Sequence, residues 1–558
     1  MIARVAFLLG LSINACVVAG APETFPHAAV VSQSEIASKV GADVLRDGGN
    51  AVDAAVATAF ALAVTHPAAG NIGGGGFLVY RSGQGNVATY DFRERAPLAA
   101  SETMWLDENG NYDSKRHHSS WLSVGVPGSV AGLHLAWSEQ GQLPWRRLVE
   151  PAIQLAEEGF VVSPGLAESL KDSRSRFRIS PAALSQFTNN GMPYEPGEVL
   201  IQRDLAATLR RIAEHGPAGF YEGKTAELLV AGMQSNGGIL THEDLRAYKA
   251  VRREPIRGTY RGYDIISMPP PSSGGITLVQ MLNILEGFPI RETGAGSAAT
   301  LHVMTESMRR AYLNRARYLG DSDFNPDIPV ARLISKEVAK NLRNTIKLDA
   351  ATPSVLEDIR LQHESNETTH LSVVDKDLNA VSLTTTLEYS YGSGIIAEGT
   401  GFLLNNEMGD FNPVPGKTTE QGLIGTSPNL TQPGKRMLSS MSPTIVARDG
   451  KLVLVTGSPG GRTIINTVLQ TILNVVDHDM NAQDAVDFGR IHHQWMPDEL
   501  RYEQFQFSPD TLEQLKLKGH RLKQTTYQGS AHIIKVNSEG QLEAGVDHRR
   551  PDAGAAGH

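Results

Sequence analysis

The sequence predicts a layered α/β fold, and three segments predict it. Residues 51–64 are almost all alanine and valine, the composition of a helix buried on every side. Residues 370–375 and 380–387 are apolar-rich runs parted by Lys-Asp-Leu-Asn, which reads as two strands joined by a tight turn. Residues 452–456 form another strand-like run, followed by a glycine-rich loop at 457–462 and a helical stretch at 463–476. Strands and helices mixed along one chain pack as sheets covered by helices.

The other elements follow in chain order. Residues from Ser34 onward open a helix that the turn-forming Asp47-Gly-Gly-Asn50 stops. Four glycines at 73–76 lead into a strand at 77–80. A phosphate loop would follow a strand and open a helix, so these glycines point to close backbone approach instead. Residues 145–341 read as mostly helical, with amphipathic spacing at 205–215 and 301–319. Within them, a rigid turn at 269–275 precedes a helix at 276–286. Residues 347–369 are polar, carry Pro353 and read as an exposed linker.

Composition narrows the class. The chain has 558 residues, 41% hydrophobic and 20% charged, with a formal charge of −9. Nothing here favours a nucleic-acid partner, which needs a basic face to neutralise phosphates. Residues 1–21 read as a signal peptide: Arg4 is followed by an apolar run at 5–13 and by the small residues Ala19-Gly-Ala21. The expected location is therefore periplasmic or secreted. The single cysteine, Cys16, lies in Ile13-Asn-Ala-Cys16, which loosely resembles a lipoprotein box, so lipid anchoring at Cys16 stays open. The mature part then has no disulfide and no thiol nucleophile. No later segment reaches about 18 uninterrupted apolar residues, so no spanning helix is expected.

Common catalytic signatures are missing: there is no G-x-S-x-G, H-E-x-x-H, Walker loop or C-x-x-C. The pairs His117-His118 and His492-His493 are adjacent, so their side chains do not share a helix or strand face. Hydrogen-bonded or surface histidine fits them better than a metal site, and no metal or organic cofactor is expected. The unusual feature is a polar linker that meets a strand at Thr368. A threonine hydroxyl needs a base, and an N-terminal threonine can use its own α-amino group. That amine has an ordinary pKa of roughly 7.7–8.0. It exists only if the chain is cut just before Thr368. On composition alone, Thr-Thr before a strand is ordinary structure.

A resemblance raises that reading. TTHLSVVD at 368–375 resembles the small-subunit start of gamma-glutamyltransferases. The likeness continues through GGNAVDAA at 48–55, GGGGF at 73–77, DFRE at 91–94, GVPG at 125–128 and PSSGG at 271–275. LNNEM at 404–408, LSSMSPT at 438–444 and GSPGG at 457–461 complete it, and the joint order is specific. It implies the four-layer αββα sandwich of N-terminal-nucleophile hydrolases. It also implies self-cleavage between Glu367 and Thr368, giving a large subunit at 22–367 and a small subunit at 368–558. These two products would form one heterodimeric fold. Thr368 would then take the gamma-glutamyl group from donors such as glutathione and pass it to water, amino acids or peptides.

The resemblance also implies residue roles, each with a plainer structural counterpart. Arg93 would bind the substrate α-carboxylate by two hydrogen bonds, where otherwise it pairs with Asp91 or Glu94. Ser439 and Ser440 would add donors to that carboxylate, where otherwise they shape a turn. Glu407 and Asp410 would hold the substrate ammonium, and Glu388 would join them. Glu388 stands where several members have asparagine. Gly460 and Gly461 would form the oxyanion hole ahead of a helix, and Thr386 would support the nucleophile. The region 413–434 replaces the family's lid and contains no tyrosine. Two other readings stay open: an acylase of the same fold that removes glutaryl-type groups, as from cephalosporins, and a non-catalytic secreted binding protein.

Overall fold

The computed structural model describes residues 20–355, 368–417, 419–421 and 425–558. Cys16, Glu367 and nearly all of the expected signal peptide lie outside the described residues. Two seven-stranded sheets form the centre. The first runs Gly554–Gly557, Ala29–Ser32, Thr369–Val374, Ala380–Thr386, Gly75–Arg81, Val87–Asp91 and Val251–Arg253, every neighbour antiparallel. The second runs Glu23–Phe25, Leu542–Val546, His532–Val536, Lys451–Thr456, Thr444–Arg448, Tyr263–Ser267 and Ile256–Tyr260, again antiparallel.

Strand alternation divides the core in two. Leu371, Val373, Val381 and Leu383 join an apolar cluster with helices Glu35–Arg46, Ala51–Thr65 and Trp145–Glu158. The intervening residues face the other sheet: Ser372 Oγ donates to the His532 carbonyl and Ser382 Oγ to the Thr456 carbonyl, both at 2.9 Å. The second sheet buries its far face against helices Gly274–Leu285, Ala298–Tyr318 and Thr463–Val476. The result is a helix–sheet–sheet–helix sandwich, as the resemblance implies. Among the described residues, no helix is long and apolar enough to cross a membrane.

The alanine-rich helix spans Ala51–Thr65 and is buried at every position. Asn50 and Asp53 form a reciprocal capping box at its start. Its first amide, Ala51 N, donates to Asp375 at 2.9 Å. Asp375 also accepts from Asp377 N and Asn379 N at 3.0 and 2.9 Å, so one carboxylate shapes the predicted turn and ties it to the helix. The glycine run makes the expected close approaches. A Cβ on Gly74 would sit 2.1 Å from the Thr386 carbonyl oxygen, and one on Gly76 2.3 Å from that of Thr384.

Two expectations are corrected. The stretch 145–341 is not helical between Val251 and Ser267, where Val251–Arg253 and Ile256–Tyr260 are edge strands of the first and second sheets and Tyr263–Ser267 lies next to the second edge. The half-exposed, arginine-bearing faces of the two edge strands hide the apolar signal. The linker does not stay exposed to residue 369. Thr368 and Thr369 are buried, because Thr369 already pairs with Thr385 in the first sheet.

Candidate active site

Thr368 stands at the head of the inner strand Thr369–Val374, 3% exposed. It shares one recess with Thr386, Arg93, Glu388, Asp410, Ser439, Ser440 and Gly461. The strand register explains the first neighbour, since Thr369 pairs with Thr385 and the next residues are Thr368 and Thr386. The Thr386 carbonyl takes a hydrogen bond from Asn71 Nδ2 at 2.9 Å, which fixes the strand end. Its hydroxyl accepts from Glu388 N at 2.9 Å.

Arg93 follows the strand Val87–Asp91, and Asp91 accepts its backbone amide at 2.9 Å. The guanidinium is 1% exposed and lies 2.5 Å from Glu407, 3.6 Å from Glu94 and in direct contact with Asp410. Glu407 and Asp410 are carried on the short turn Glu407–Asp410. Burial opposes the charge on Arg93, but Glu407, Asp410 and Glu94 together hold its pKa above the ordinary value. Burial pushes Glu94 up to about 8 even though Arg93 pulls it down, and pushes Glu407 well above the carboxylate range. Arg93 thus sits among the very carboxylates assigned to the substrate ammonium, and its plainer pairing with Glu94 is also present.

The serine pair is held by the turn at 269–275. Ser439 N donates to the Pro271 carbonyl at 3.0 Å, and Ser273 N donates to the Ser439 carbonyl at 2.7 Å. Arg315 bridges both segments, with Nε on Ser273 Oγ at 2.8 Å and Nη2 on Ser440 Oγ at 3.0 Å. The motifs at 271–275 and 438–444 are therefore two sides of one structure.

Gly460 and Gly461 turn the chain from strand Lys451–Thr456 into helix Thr463–Val476. Their φ values of +130° and +53° disfavour side chains. A Cβ on Gly460 would also meet Thr463 Oγ1 at 2.4 Å. Amides at the start of a helix favour negative charge, and Gly461 reaches the recess that holds Thr368.

Glu388 is buried and has a φ of +78°, rare for a residue with a side chain. His118 Nδ1 meets its Oε1 at 3.0 Å. Sequence reasoning missed the parts played by His118 and Arg315. His118 was visible only as half of a histidine pair. Arg315 lies in an unremarkable helix. Both histidine pairs are buried and hydrogen-bonded.

A threonine at the head of an inner strand in an αββα sandwich, facing a helix-opening glycine turn, defines the N-terminal-nucleophile hydrolase class. Within it, the chain belongs to the gamma-glutamyltranspeptidase family: the family model described as Gamma-glutamyltranspeptidase matches residues 37–557. The glutathione hydrolase proenzyme of Escherichia coli is 49% identical over 95% of this chain and 91% of its own. The crystal structure of a cephalosporin acylase from Bacillus halodurans superposes with a TM-score of 0.85, covering 97% of both chains at 27% identity. That of Helicobacter pylori gamma-glutamyltranspeptidase superposes at 0.56 with 46% identity, covering 57% of this chain and 91% of the solved one.

Proposed function

We propose that Thr368 is both the self-cleavage and the catalytic nucleophile of this enzyme, which transfers and hydrolyses gamma-glutamyl groups. The single observation that carries the reading is the convergence on Thr368 of a cation, acidic groups and a helix-opening glycine turn in one buried recess. In maturation, the Thr368 hydroxyl attacks the Glu367 carbonyl carbon and the peptide bond becomes an ester. Water hydrolyses the ester, leaving a carboxylate on Glu367 and a free amine on Thr368. The products are a large chain ending at Glu367 and a small chain starting at Thr368, exported with the aid of residues 1–21.

In turnover, the Thr368 amine accepts the hydroxyl proton as Oγ attacks the gamma-glutamyl carbonyl. The backbone amide N–H groups of Gly460 and Gly461 face the oxyanion. The leaving amine of a donor such as glutathione departs with a proton, and water or the amine of an amino acid or peptide then takes the acyl group. The zwitterionic head finds both signs of charge in place. Its carboxylate engages Arg93, Ser439 and Ser440. Its ammonium replaces part of the Arg93 contact to Glu407 and Asp410, with Glu388 beside them. Exchange of one ion pair for another keeps every buried charge partnered.

Intact mass of the purified protein beside a Thr368→Ala variant tests this. Two chains from the wild type, the smaller beginning at Thr368, with the variant whole, support the reading. A folded wild type that remains one chain removes the amine base and favours a binding protein.

A further inference from the structure

Four polar groups behind Glu388 form a chain whose proton count is constrained. His117 Nε2 lies 2.9 Å from the Met408 carbonyl, which only accepts, so this nitrogen carries hydrogen. A neutral His117 therefore presents Nδ1 as an acceptor, 3.0 Å from the Tyr112 hydroxyl. The same hydroxyl lies 3.1 Å from His118 Nε2, and His118 Nδ1 lies 3.0 Å from Glu388 Oε1. If Glu388 were ionised and His118 neutral, Nδ1 would donate to the carboxylate and Nε2 would be a second acceptor. Tyr112 has one proton for the two ring nitrogens. Ser114, which also bonds the Tyr112 oxygen, does not supply the ring nitrogens. His117 is fully buried and His118 is 7% exposed, where an unmet ring nitrogen is costly.

One further proton removes the conflict. His118 Nε2–H donates to the Tyr112 oxygen, Tyr112 O–H donates to His117 Nδ1, and a proton lies between His118 Nδ1 and Glu388 Oε1. We propose that His118 is a positioning residue for Glu388, and that the pair shares this proton in the resting enzyme. The pair is then neutral overall, whichever partner holds the proton more closely. Burial, with Arg176 assisting and Asp410 opposing, brings the imidazole pKa down to about 4, which draws the shared proton toward the carboxyl group. Around the pair, Tyr389 stacks on the His118 ring with centroids 5.2 Å apart, and Arg176 lies over Tyr389. Glu407 faces Glu388 electrostatically from the acidic turn, where Arg93 also contacts Asp410.

Geometry supports the positioning role independently. Glu388 sits in a left-handed conformation, which persists only where surrounding contacts hold the residue in place. A Cβ on Gly409 would fall 2.3 Å from His118 Nδ1 and 2.5 Å from Glu388 Oε2, so the acidic turn closes directly over the pair. His117 pins the same turn through Met408.

The inference rests on the function proposed above, and the tests separate the two. Self-cleavage of His118→Ala and His118→Asn, read by intact mass, reports folding and the nucleophile. With gamma-glutamyl-4-nitroanilide as donor, His118→Ala raises KM about tenfold and changes kcat far less, as loss of one buried hydrogen bond that positions Glu388 requires. His118→Asn, whose amide can donate to or accept from the Glu388 carboxyl group, restores most of the KM. An unchanged KM in the alanine variant, or equal impairment in both, overturns the positioning role. Nitrogen-15 spectra of histidine-labelled enzyme, assigned by the signals lost in His118→Asn, read the proton. His118 Nε2 is expected to be protonated at neutral pH, and an unprotonated Nε2 overturns the shared-proton chain.

Discussion

Arg93 and Glu407 meet at 2.5 Å with neither side chain more than 1% exposed. Such a pair is weak evidence for stability as a whole, but either half alone is costly in the interior. Arg93→Met leaves Glu407, Asp410 and Glu94 facing one another without the cation. The variant is expected to lose about 3–5 kcal/mol in urea unfolding. Adding Glu407→Gln recovers part of that loss, while gamma-glutamyl transfer stays low because the substrate carboxylate has lost its partner. A single variant as stable as the wild type contradicts the isolated-charge argument.

Stability and pH are linked here in two opposed ways. His66, His492 and His520 are held down to about 3, and His493 and His532 to about 4, chiefly by burial. The unfolded chain protonates these groups near pH 6.5 and the folded chain does not. Stability is therefore full above about pH 6.5 and falls as pH drops toward 4, by up to about 1.4 kcal/mol per histidine per pH unit. Glu94 acts in the other sense. Its folded pKa of about 8 exceeds the ordinary carboxyl value, so its contribution is full below about 4.5 and is lost as pH rises through 8. Thermal unfolding from pH 4.5 to 8.5 checks both. The midpoint should fall steeply on acidification, and Glu94→Gln should remove only the loss toward pH 8. A flat acid limb would show that these histidines are protonated in the folded enzyme.

How much of this was legible from residues differs by element. The helix at 51–65 and the two strands after Thr368 carry strong local patterns, so periodicity finds them with small boundary errors. The strands between Val251 and Ser267 do not: Val251–Arg253 and Ile256–Tyr260 are edge strands without a continuous apolar run, and the short strand Tyr263–Ser267 opens on a half-buried tyrosine and an exposed aspartate. Thr368, Arg93 and Gly461 were found through motif resemblance, and the fold brings them from distant parts of the chain into one recess. His118 and Arg315 act through hydrogen bonds to residues 270 and 125 positions away, a relation that no local pattern encodes.

Choice of acyl group gives the sharpest discrimination between this reading and a glutaryl-removing acylase. A glutaryl anilide matches a gamma-glutamyl anilide except that it lacks the α-ammonium. Its carboxylate would still draw Arg93 away from Glu407 and Asp410, but nothing positive would replace the guanidinium beside them. A site built to pair a charged group rejects the analogue without it, because the buried partners are left unmet. The glutaryl compound is therefore expected to have kcat/KM at least about a thousandfold lower. The loss should shrink in Glu407→Gln, where less negative charge is stranded. Comparable rates for the two anilides in the wild-type enzyme would sink the ammonium-site assignment and favour the acylase, while leaving Thr368 as the nucleophile in either case.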